Sequence, residues 1–293
     1  MTILVVGGTK FVGIHLIKQL LAAGHSVTIA TRGTTPDPFG DAVTRVTIDR
    51  TKVDSIKKAL GGKHFDVVYD SQAYSSNEIK YLLDAVTCTR YIETSTVSVY
   101  GNDLRPAQPE SDFDPVTYPL KWCNRTDFAY DEIKRQAECA MFQAYNHVPS
   151  VAVRFPLIIG EDDYTKRLYF YADHIANGKA FHIDNPSAQL EFILSDVGGH
   201  FLAWLATSDF CGGINAGNIG CATLADIIAR IENIAGRKAI ICSEGEPAPL
   251  NGFPDYGLDL SLAEKIGYNF PALEPSLTDL LKSYVATALS SPI

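Results

Sequence analysis

A tyrosine and a lysine four residues apart have the types and spacing to do chemistry together. Tyr130 and Lys134 stand in the segment Tyr-Asp-Glu-Ile-Lys, and this separation places both on one face of a helix. A free tyrosine is a poor base at neutral pH because its pKa is about 10, but a neighbouring ammonium favours the phenolate. The pair can therefore exchange a proton with a substrate hydroxyl.

Hydroxyl side chains stand a short way upstream of this pair. Residues 91–95 have a strand pattern, and Thr96 and Ser98 follow it. Ligands of open α/β sheets bind at the carboxyl ends of the strands. Thr96 is therefore a candidate to hold and polarise the oxygen of a substrate.

A glycine turn near the start of the chain would bring a dinucleotide to these side chains. Residues 3–13 read Ile-Leu-Val-Val-Gly-Gly-Thr-Lys-Phe-Val-Gly, a buried strand that runs through the turn into an amphipathic helix. Gly7 allows the tight turn, Gly13 lets the helix lie close to its strand, and a pyrophosphate would sit on the helix N-terminus. The predicted cofactor-binding residues of this loop are Gly7, Thr9, Lys10, Phe11, Val12 and Gly13.

Strand and helix patterns alternate along the first half of the chain. Strands are predicted at 26–31, 43–48, 67–71, 91–95 and 150–155, with helices that include 77–85 and 130–145. This alternation predicts an α/β fold with a Rossmann-type doubly wound parallel sheet. We expect a dinucleotide-binding domain over 1–155 and a smaller mixed α/β domain, mainly substrate-binding, over 156–293. Because no flexible linker separates them, the boundary is expected to be interleaved.

The bulk composition narrows the class of partner. The chain has 293 residues, 46% of them hydrophobic, and a formal net charge of -9. No Lys/Arg block exceeds a pair, so the electrostatic footprint of a nucleic-acid-binding protein is missing. A small-molecule substrate is the expected partner.

Cysteine, histidine and apolar patterns point to the same class. The six cysteines lie scattered without metal-type spacing, which predicts reduced thiols. The histidines at 25, 64, 147, 182 and 200 lack ligand pairing, so no metal site is assigned. The first apolar run has no basic leader, and no later run reaches the roughly 18 residues of a membrane span. We expect a soluble cytoplasmic protein.

Taken in order, these segments resemble the extended short-chain dehydrogenase/reductase superfamily, which includes the NAD-dependent epimerases and dehydratases. The resemblance implies that Thr96, Tyr130 and Lys134 hold the family's catalytic places. Tyr130 would be the acid/base, and Lys134 would also bond the nicotinamide ribose. The other residues that carry the resemblance are Asp49, expected to contact the adenine side, the segment Ser71, Gln72 and Ala73, and Phe155 within the stretch 154–160.

Two departures from the family pattern concern the cofactor. Lys10 stands where the family usually has the middle glycine of its loop. Arg32 follows the second strand, where NAD-preferring members carry an acidic residue for the ribose hydroxyls. A guanidinium matches the geometry of a 2′-phosphate, and Lys10 is a second cation for it. The sequence therefore favours NADP over NAD.

Two further departures concern the reaction. Val97 and Ser98 occupy places where sugar dehydratases carry an acidic pair, so dehydration is not expected. Leu157 stands where nucleotide-sugar epimerases have an asparagine that contacts the substrate, which weakens a strict nucleotide-sugar assignment. Candidate substrate-binding residues are Tyr74, Ser98, Lys166 and Arg167.

The loop Gly-Gly-Thr-Lys-Phe-Val-Gly and the segment 165–167 also resemble an atypical branch of the superfamily, whose members include chloroplast stem-loop-binding proteins. Some members of that branch have lost catalytic residues that this chain retains. We therefore predict an NAD(P)-dependent oxidoreductase or epimerase that transfers hydride at a carbinol or ketone carbon. The alternative is a non-enzymatic, dinucleotide-responsive protein with an RNA or protein partner. The sequence leaves a homodimer open.

Overall fold

The computed structural model describes residues 1–101 and 104–290. Nine α-helices lie in this part of the chain: α1 (Val12–Ala22), α2 (Val53–Leu60), α3 (Ser76–Leu83), α4 (Tyr130–Cys139), α5 (Arg167–Asn177), α6 (Ser195–Leu205), α7 (Leu224–Ala235), α8 (Ser261–Lys265) and α9 (Ser276–Ser290). The strands are β1 (Thr2–Val6), β2 (Ser26–Thr31), β3 (Thr44–Thr47), β4 (His64–Asp70), β5 (Thr87–Thr96), β6 (Ser150–Phe155), β7 (Leu157–Ile159), β8 (Ala180–His182), β9 (Gln189–Leu190), β10 (Phe192–Leu194), β11 (Gly212–Asn215), β12 (Ala222–Thr223), β13 (Ile240–Ile241) and β14 (Glu246–Pro247).

The central layer is a seven-stranded parallel sheet in the order β11-β6-β5-β4-β1-β2-β3. This confirms the predicted Rossmann-type α/β fold. The strand order reverses between β1 and β4, where Val6 is paired with Ala30 on one side and Asp70 on the other. Ligands bind at such a switch point. The carboxyl ends of β1, β4 and β5 therefore mark the place to look for a site.

The first strand is apolar because it is buried on both faces of the sheet. Its residues 3–6 are at most 1% exposed. The chain turns immediately afterwards at Gly7, whose amide donates to Ala30 O at 2.9 Å, and Ser71 N donates to Val6 O at 3.1 Å. The two turns after β1 and β4 are thus fixed to the sheet and to each other.

Part of the chain beyond residue 155 returns to this sheet. Strand β11 pairs with β6 at the edge, and α6 packs on α1, where a Cβ on Gly199 would overlap His15. Helices α5, α7 and α9 instead contribute to a separate apolar cluster that includes Phe181 and Tyr171. In the described part of the chain, no helix is both long and apolar enough to cross a membrane.

Candidate active site

The glycine loop has the shape of a cradle for an anion. Gly7 and Gly8 take φ values of 97° and 86°, which favour glycine. A Cβ on Gly13 would overlap the Cα of Gly8, so the glycine at 13 lets α1 start against the end of β1. The cradle therefore depends on glycine at both ends.

The backbone of this loop has donors to offer. Within residues 1–101 and 104–290, the amides of Gly8, Thr9, Lys10 and Phe11 make no hydrogen bond to the protein. The first turn of α1 contains no acidic residue. Free amides and the positive end of a helix dipole bind phosphate groups. The loop therefore fits the pyrophosphate of a dinucleotide.

Three residues predicted to bind the cofactor differ in how far their side chains are already engaged by the protein. Arg32 is exposed after β2 and has no ion-pair partner within the described ranges. Lys10 is exposed, with its Nζ 5.1 Å from the centroid of the Tyr164 ring. Asp49 instead accepts hydrogen bonds from Thr51 Oγ1 at 2.7 Å and Thr51 N at 3.1 Å, which lower the pKa of its carboxyl. The carboxylate of Asp49 is thus partly occupied by hydrogen bonds within its own turn.

Two aromatic pairs lie beside the loop and beside the predicted proton-transfer residue. Phe11 meets Tyr164 edge to face at 6.0 Å between centroids, and Tyr74 meets Tyr130 in the same way at 6.1 Å. Burial raises the pKa of the Tyr164 phenol, and the nearby Tyr74 and Tyr130 hydroxyls raise it further. We call Phe11, Tyr74, Tyr130 and Tyr164, together with Lys10, the aromatic mouth.

Tyr130 is free to act on a ligand. It is the first residue of α4 and is 49% exposed, and within the described residues its hydroxyl makes no hydrogen bond. Thr96 ends β5, where its Oγ1 donates to Ser98 Oγ at 3.2 Å and accepts from Ser98 N at 3.2 Å. No hydrogen bond joins Thr96, Tyr130 and Lys134 to one another in the described chain. A substrate oxygen would have to bridge the hydroxyls.

Lys134 lies one helical turn below Tyr130 and is buried. Its Nζ donates to Glu93 Oε1 at 2.6 Å, Ala73 O at 2.7 Å and Thr94 O at 3.0 Å. Burial acts to lower the pKa of Lys134, but Glu93, Tyr130 and Glu138 together outweigh it, so the pKa is raised. Burial raises the pKa of Glu93 to about 7, against the opposing effect of Lys134. All three ammonium donors are taken by protein.

The Lys134–Glu93 pair is the middle of three buried ion pairs, which we call the buried charge row. Arg154 pairs with Glu138 at 2.8 Å, and both side chains are at most 1% exposed. Arg50 pairs with Asp70, whose Oδ2 also accepts from Tyr91 at 2.7 Å. The row crosses β4, β5 and β6 beneath α4, because Asp70 and Glu93 are register partners and Ser95 is paired with Arg154.

The other predicted residues fall in three places. Gln72 lies near the mouth, where its carbonyl accepts from Arg125 at 3.0 Å; Ser71 Oγ accepts from Thr94 Oγ1 at 3.3 Å. Arg167 begins α5 and Lys166 precedes it, with Lys166 Nζ 5.4 Å from the centroid of the Tyr169 ring. Phe155 and Val12 are instead buried in the apolar cluster between the sheet and α6.

Sequence reasoning missed Glu93 and Arg125. Arg125 Nε donates to Glu78 Oε1 at 2.5 Å, and its Cζ is 4.2 Å from the centroid of the Tyr74 ring at the mouth. Nothing in its local sequence predicts this position. Glu93 did carry a signal, since a lone carboxylate in a buried strand must find a partner.

A further polar cluster joins α1 to the segment after β7. His15 Nε2 lies 3.1 Å from Asp162 Oδ2, and Ser195 Oγ donates to Asp162 Oδ1 at 2.7 Å. Ser195 Oγ and Asp162 both face the same ring nitrogen of His15. Among the residues that the structure describes, no group of three His, Cys, Asp or Glu could hold a metal ion.

Comparison with known proteins gives a family match and several relatives. The model of the NAD dependent epimerase/dehydratase family matches residues 3–196. The chain is 33% identical over 128 residues to the chloroplast stem-loop binding protein of 41 kDa b from Arabidopsis thaliana, which covers 39% of this chain and 34% of that protein. It is 24% identical over 218 residues to the 2'-dehydrokanamycin reductase of Streptomyces kanamyceticus, which covers 72% of this chain and 60% of that protein. Both matches span less than two thirds of the relative's length.

Solved structures give the same fold. The UDP-glucuronic acid 4-epimerase of Bacillus cereus, in complex with UDP-glucuronic acid and NAD, superimposes with a TM-score of 0.74 at 21% identity. The superposition covers 98% of this chain and 99% of that chain. At this level of identity the likeness establishes the fold.

Proposed function

The chain belongs to the NAD dependent epimerase/dehydratase family, and from this premise we propose that it catalyses NAD(P)-dependent hydride transfer at a carbinol or ketone carbon of a sugar or sugar nucleotide. One observation carries the proposal. The free amides of the glycine loop follow β1, and the helix that Tyr130 begins is bonded through Lys134 to Ala73, shortly after the neighbouring strand β4. A cofactor-binding cradle and a proton-transfer group thus lie at the same carboxyl edge of the sheet.

The residues of the mouth have separate tasks in this proposal. A bound nicotinamide supplies the acceptor or donor of the hydride. Tyr130 takes the proton of the carbinol hydroxyl as the carbon is oxidised, and returns it when the ketone is reduced. Thr96 donates a hydrogen bond to the same oxygen. Tyr74 and Tyr164 offer ring faces to a sugar, and Lys166 and Arg167 stand at the start of α5 for a negatively charged substituent.

We propose NADP as the favoured dinucleotide and NAD as the alternative. Arg32 is exposed at the carboxyl end of β2 and lacks a carboxylate partner in the described chain. Its guanidinium can pair with a 2′-phosphate, whereas no acidic side chain stands in that position for the ribose hydroxyls. Because the Bacillus cereus epimerase complex contains NAD, the first experiment tests both dinucleotides.

That experiment is a calorimetric titration of the purified protein with NADPH and NADH. We expect NADPH to bind more tightly, and Arg32→Ala to remove that preference. The matched control is Arg45→Ala, since Arg45 lies near the same sheet edge but already pairs with Asp37 at 2.6 Å. Equal loss in both variants, or an initial preference for NADH, would contradict the role of Arg32. Binding of neither dinucleotide would contradict the proposed function.

The reaction itself is tested by nicotinamide absorbance. A reductase consumes reduced cofactor steadily with a keto-sugar, whereas an epimerase oxidises and re-reduces one carbon without net turnover. The curated reductase relative makes keto-sugars a necessary part of the substrate panel, and UDP-sugars are the other part. Tyr130→Phe should lower the rate by roughly 100-fold or more while cofactor binding persists. Tyr164→Phe is the control, and an equal loss there would argue against Tyr130 as the proton carrier.

A further inference from the structure

Arg125 lies at the carboxyl edge of the sheet, close to both the glycine loop and Tyr130. Its Nη2 donates to Gln72 O at 3.0 Å, and Gln72 approaches the loop so closely that a Cβ on Gly7 would lie 3.0 Å from Gln72 Cγ. The guanidinium also covers the Tyr74 ring, with Cζ 4.2 Å from its centroid, and Tyr74 meets Tyr130 edge to face. A substrate held at Tyr130 is therefore one aromatic ring away from this cation.

The protein holds the guanidinium in place without using all of its donors. Arg125 Nε donates to Glu78 Oε1 at 2.5 Å, and Glu78 Oε2 accepts from Tyr74 N at 2.8 Å, so one carboxylate fixes both the arginine and the residue it covers. A guanidinium carries five N–H donors. Among the residues that the structure describes, the Arg125 side chain donates only to Glu78 and Gln72, so both donors of Nη1 and one of Nη2 remain.

The remaining donors form a fork that recognises an oxyanion. One N–H of Nη1 and one of Nη2 point the same way at the end of a guanidinium, and this pair matches two oxygens of a carboxylate or a phosphate. The Arg125 side chain is 37% exposed, whereas that of Glu78 is 5% exposed. A ligand can therefore reach the fork from solvent, while the carboxylate that orients the guanidinium stays buried.

We propose that Arg125 binds a carboxylate or phosphate group of the substrate, and that it thereby determines a preference for anionic over neutral sugars. The inference rests on the proposed function, because it names the substrate class of the same site. Arg125 is additional to Lys166 and Arg167, for which a negatively charged substituent is already proposed. Because the guanidinium is oriented before the ligand arrives, little side-chain entropy is lost on binding.

The test is a calorimetric titration of the protein with UDP-glucuronic acid and with UDP-glucose, in the presence of the preferred dinucleotide. The two ligands share a diphosphate, and only the first carries a carboxylate on its sugar. The variant is Arg125→Gln. The matched control is Arg230→Gln, because Arg230 is 38% exposed and also pairs with a glutamate, Glu274.

We expect Arg125→Gln to weaken the binding of UDP-glucuronic acid by about tenfold or more, and the control to stay within about threefold of the wild type. If the bound oxyanion is the sugar carboxylate, UDP-glucose keeps its affinity; if it is a phosphate, both ligands lose affinity equally. Either result supports the inference. Affinities for both ligands that stay within about threefold in Arg125→Gln, or wild-type protein that binds neither ligand, would overturn it.

Affinity for the dinucleotide separates this inference from the proposed function. Arg125→Gln should leave the dissociation constant of the preferred dinucleotide within about threefold of the wild-type value. A weakening of about tenfold would overturn the inference, because Arg125 would then bind the cofactor, and the proposed function would survive. Wild-type protein that binds neither dinucleotide would overturn the proposed function, whereas the sugar-nucleotide titration, run without dinucleotide, would still test Arg125.

A second variant keeps the test open if Arg125→Gln does not fold, since that substitution leaves the buried Glu78 carboxylate without its cation. In Glu78→Gln/Arg125→Gln both charges leave together, and the amide oxygen at position 78 can still accept from Tyr74 N. Chemical denaturation measures whether each variant is folded. We expect the double variant to lose affinity for UDP-glucuronic acid as Arg125→Gln does, and full affinity in a folded double variant would contradict the inference.

Discussion

The buried charge row and the aromatic mouth use the same kinds of side chain in opposite ways. In the row, each of Arg50, Lys134 and Arg154 has a carboxylate partner. In the mouth, Lys10 lies over an aromatic ring, and Arg32 near the glycine loop has no acidic partner in the described chain. The comparison separates cations that hold the protein together from cations that remain available to a ligand.

The difference follows from the cost of burying charge. A charge removed from water must be paired and hydrogen-bonded, and deleting one partner strands the other. An exposed cation is solvated and can exchange water for a phosphate at little expense. Substitutions in the buried charge row should therefore change mainly the free energy of unfolding. Substitutions in the aromatic mouth should change mainly the affinity for a ligand.

The largest effect is expected at Arg154, where Arg154→Met would break the row. Its guanidinium holds Glu138 and also donates to Glu110 O at 2.9 Å and Phe113 O at 3.0 Å. Loss of one partner of a buried pair costs about 3–5 kcal/mol, measured by urea denaturation. The exposed pair of Arg230 with Glu274 is the control, and Arg230→Met should cost below about 1 kcal/mol. Similar losses of unfolding free energy in the two variants would contradict the distinction between buried and exposed ion pairs.

A smaller effect is expected at Glu191, a buried carboxylate with no cationic partner in the described ranges. It accepts from Leu258 N at 3.2 Å, and its Oε1 has no partner within the described residues. Burial raises the pKa of Glu191 to about 7 from an ordinary value of 4.5. Between these values the folded state keeps a proton that the unfolded state has lost, so stability falls as pH rises through this window.

Glu191→Gln tests this consequence directly. We expect the free energy of unfolding of the variant, relative to that of the wild type, to increase by about 2 kcal/mol from pH 5 to pH 8. Denaturation at the two pH values measures this change. The exposed Glu161 gives the control, since Glu161→Gln should leave the pH dependence unchanged. A parallel pH dependence of wild type and Glu191→Gln would show that an unpaired interior acid costs nothing here.

The smallest stability effect is expected at Gly13 in the glycine loop. Gly13→Ala would place a Cβ on the backbone of Gly8, which cannot move aside as a side chain can. Overpacking costs about 1–3 kcal/mol, and alanine returns roughly 0.5–1 kcal/mol of helix preference, which leaves a net loss of about 0–2.5 kcal/mol. Dinucleotide affinity should fall at least tenfold, by calorimetry. Lys18→Ala on the exposed side of α1 is the control, and unchanged affinity in Gly13→Ala would mean that the cradle tolerates a side chain.

Local patterns predicted much of the first half of the fold. Strands at 26–31 and 150–155 agree with β2 and β6, because a buried parallel strand is an apolar run bounded by turn residues. Helix α4 begins at Tyr130 as predicted. Helix α2 was not predicted, since only Ile56 and Leu60 in it are buried and the helical signal is short.

The edge strand β11 shows what local patterns miss. Its sequence is Gly-Gly-Ile-Asn, which has little strand preference, and it pairs with β6 from far along the chain. A Cβ on Gly213 would lie 2.6 Å from the Arg154 guanidinium, so this glycine makes room for the buried charge row. Such a requirement exists only once the two strands are side by side.

The sequence by itself determined the family, the parallel sheet, the glycine loop and the position of Tyr130 at a helix start, because these depend on spacing within a few residues. The tertiary structure alone decided which charged side chains became partners. Glu93 and Lys134 are 41 residues apart, and Arg125 and Tyr74 meet across two loops. Pairing over such distances is set by strand register and by the burial of charge, and neither can be read from local sequence.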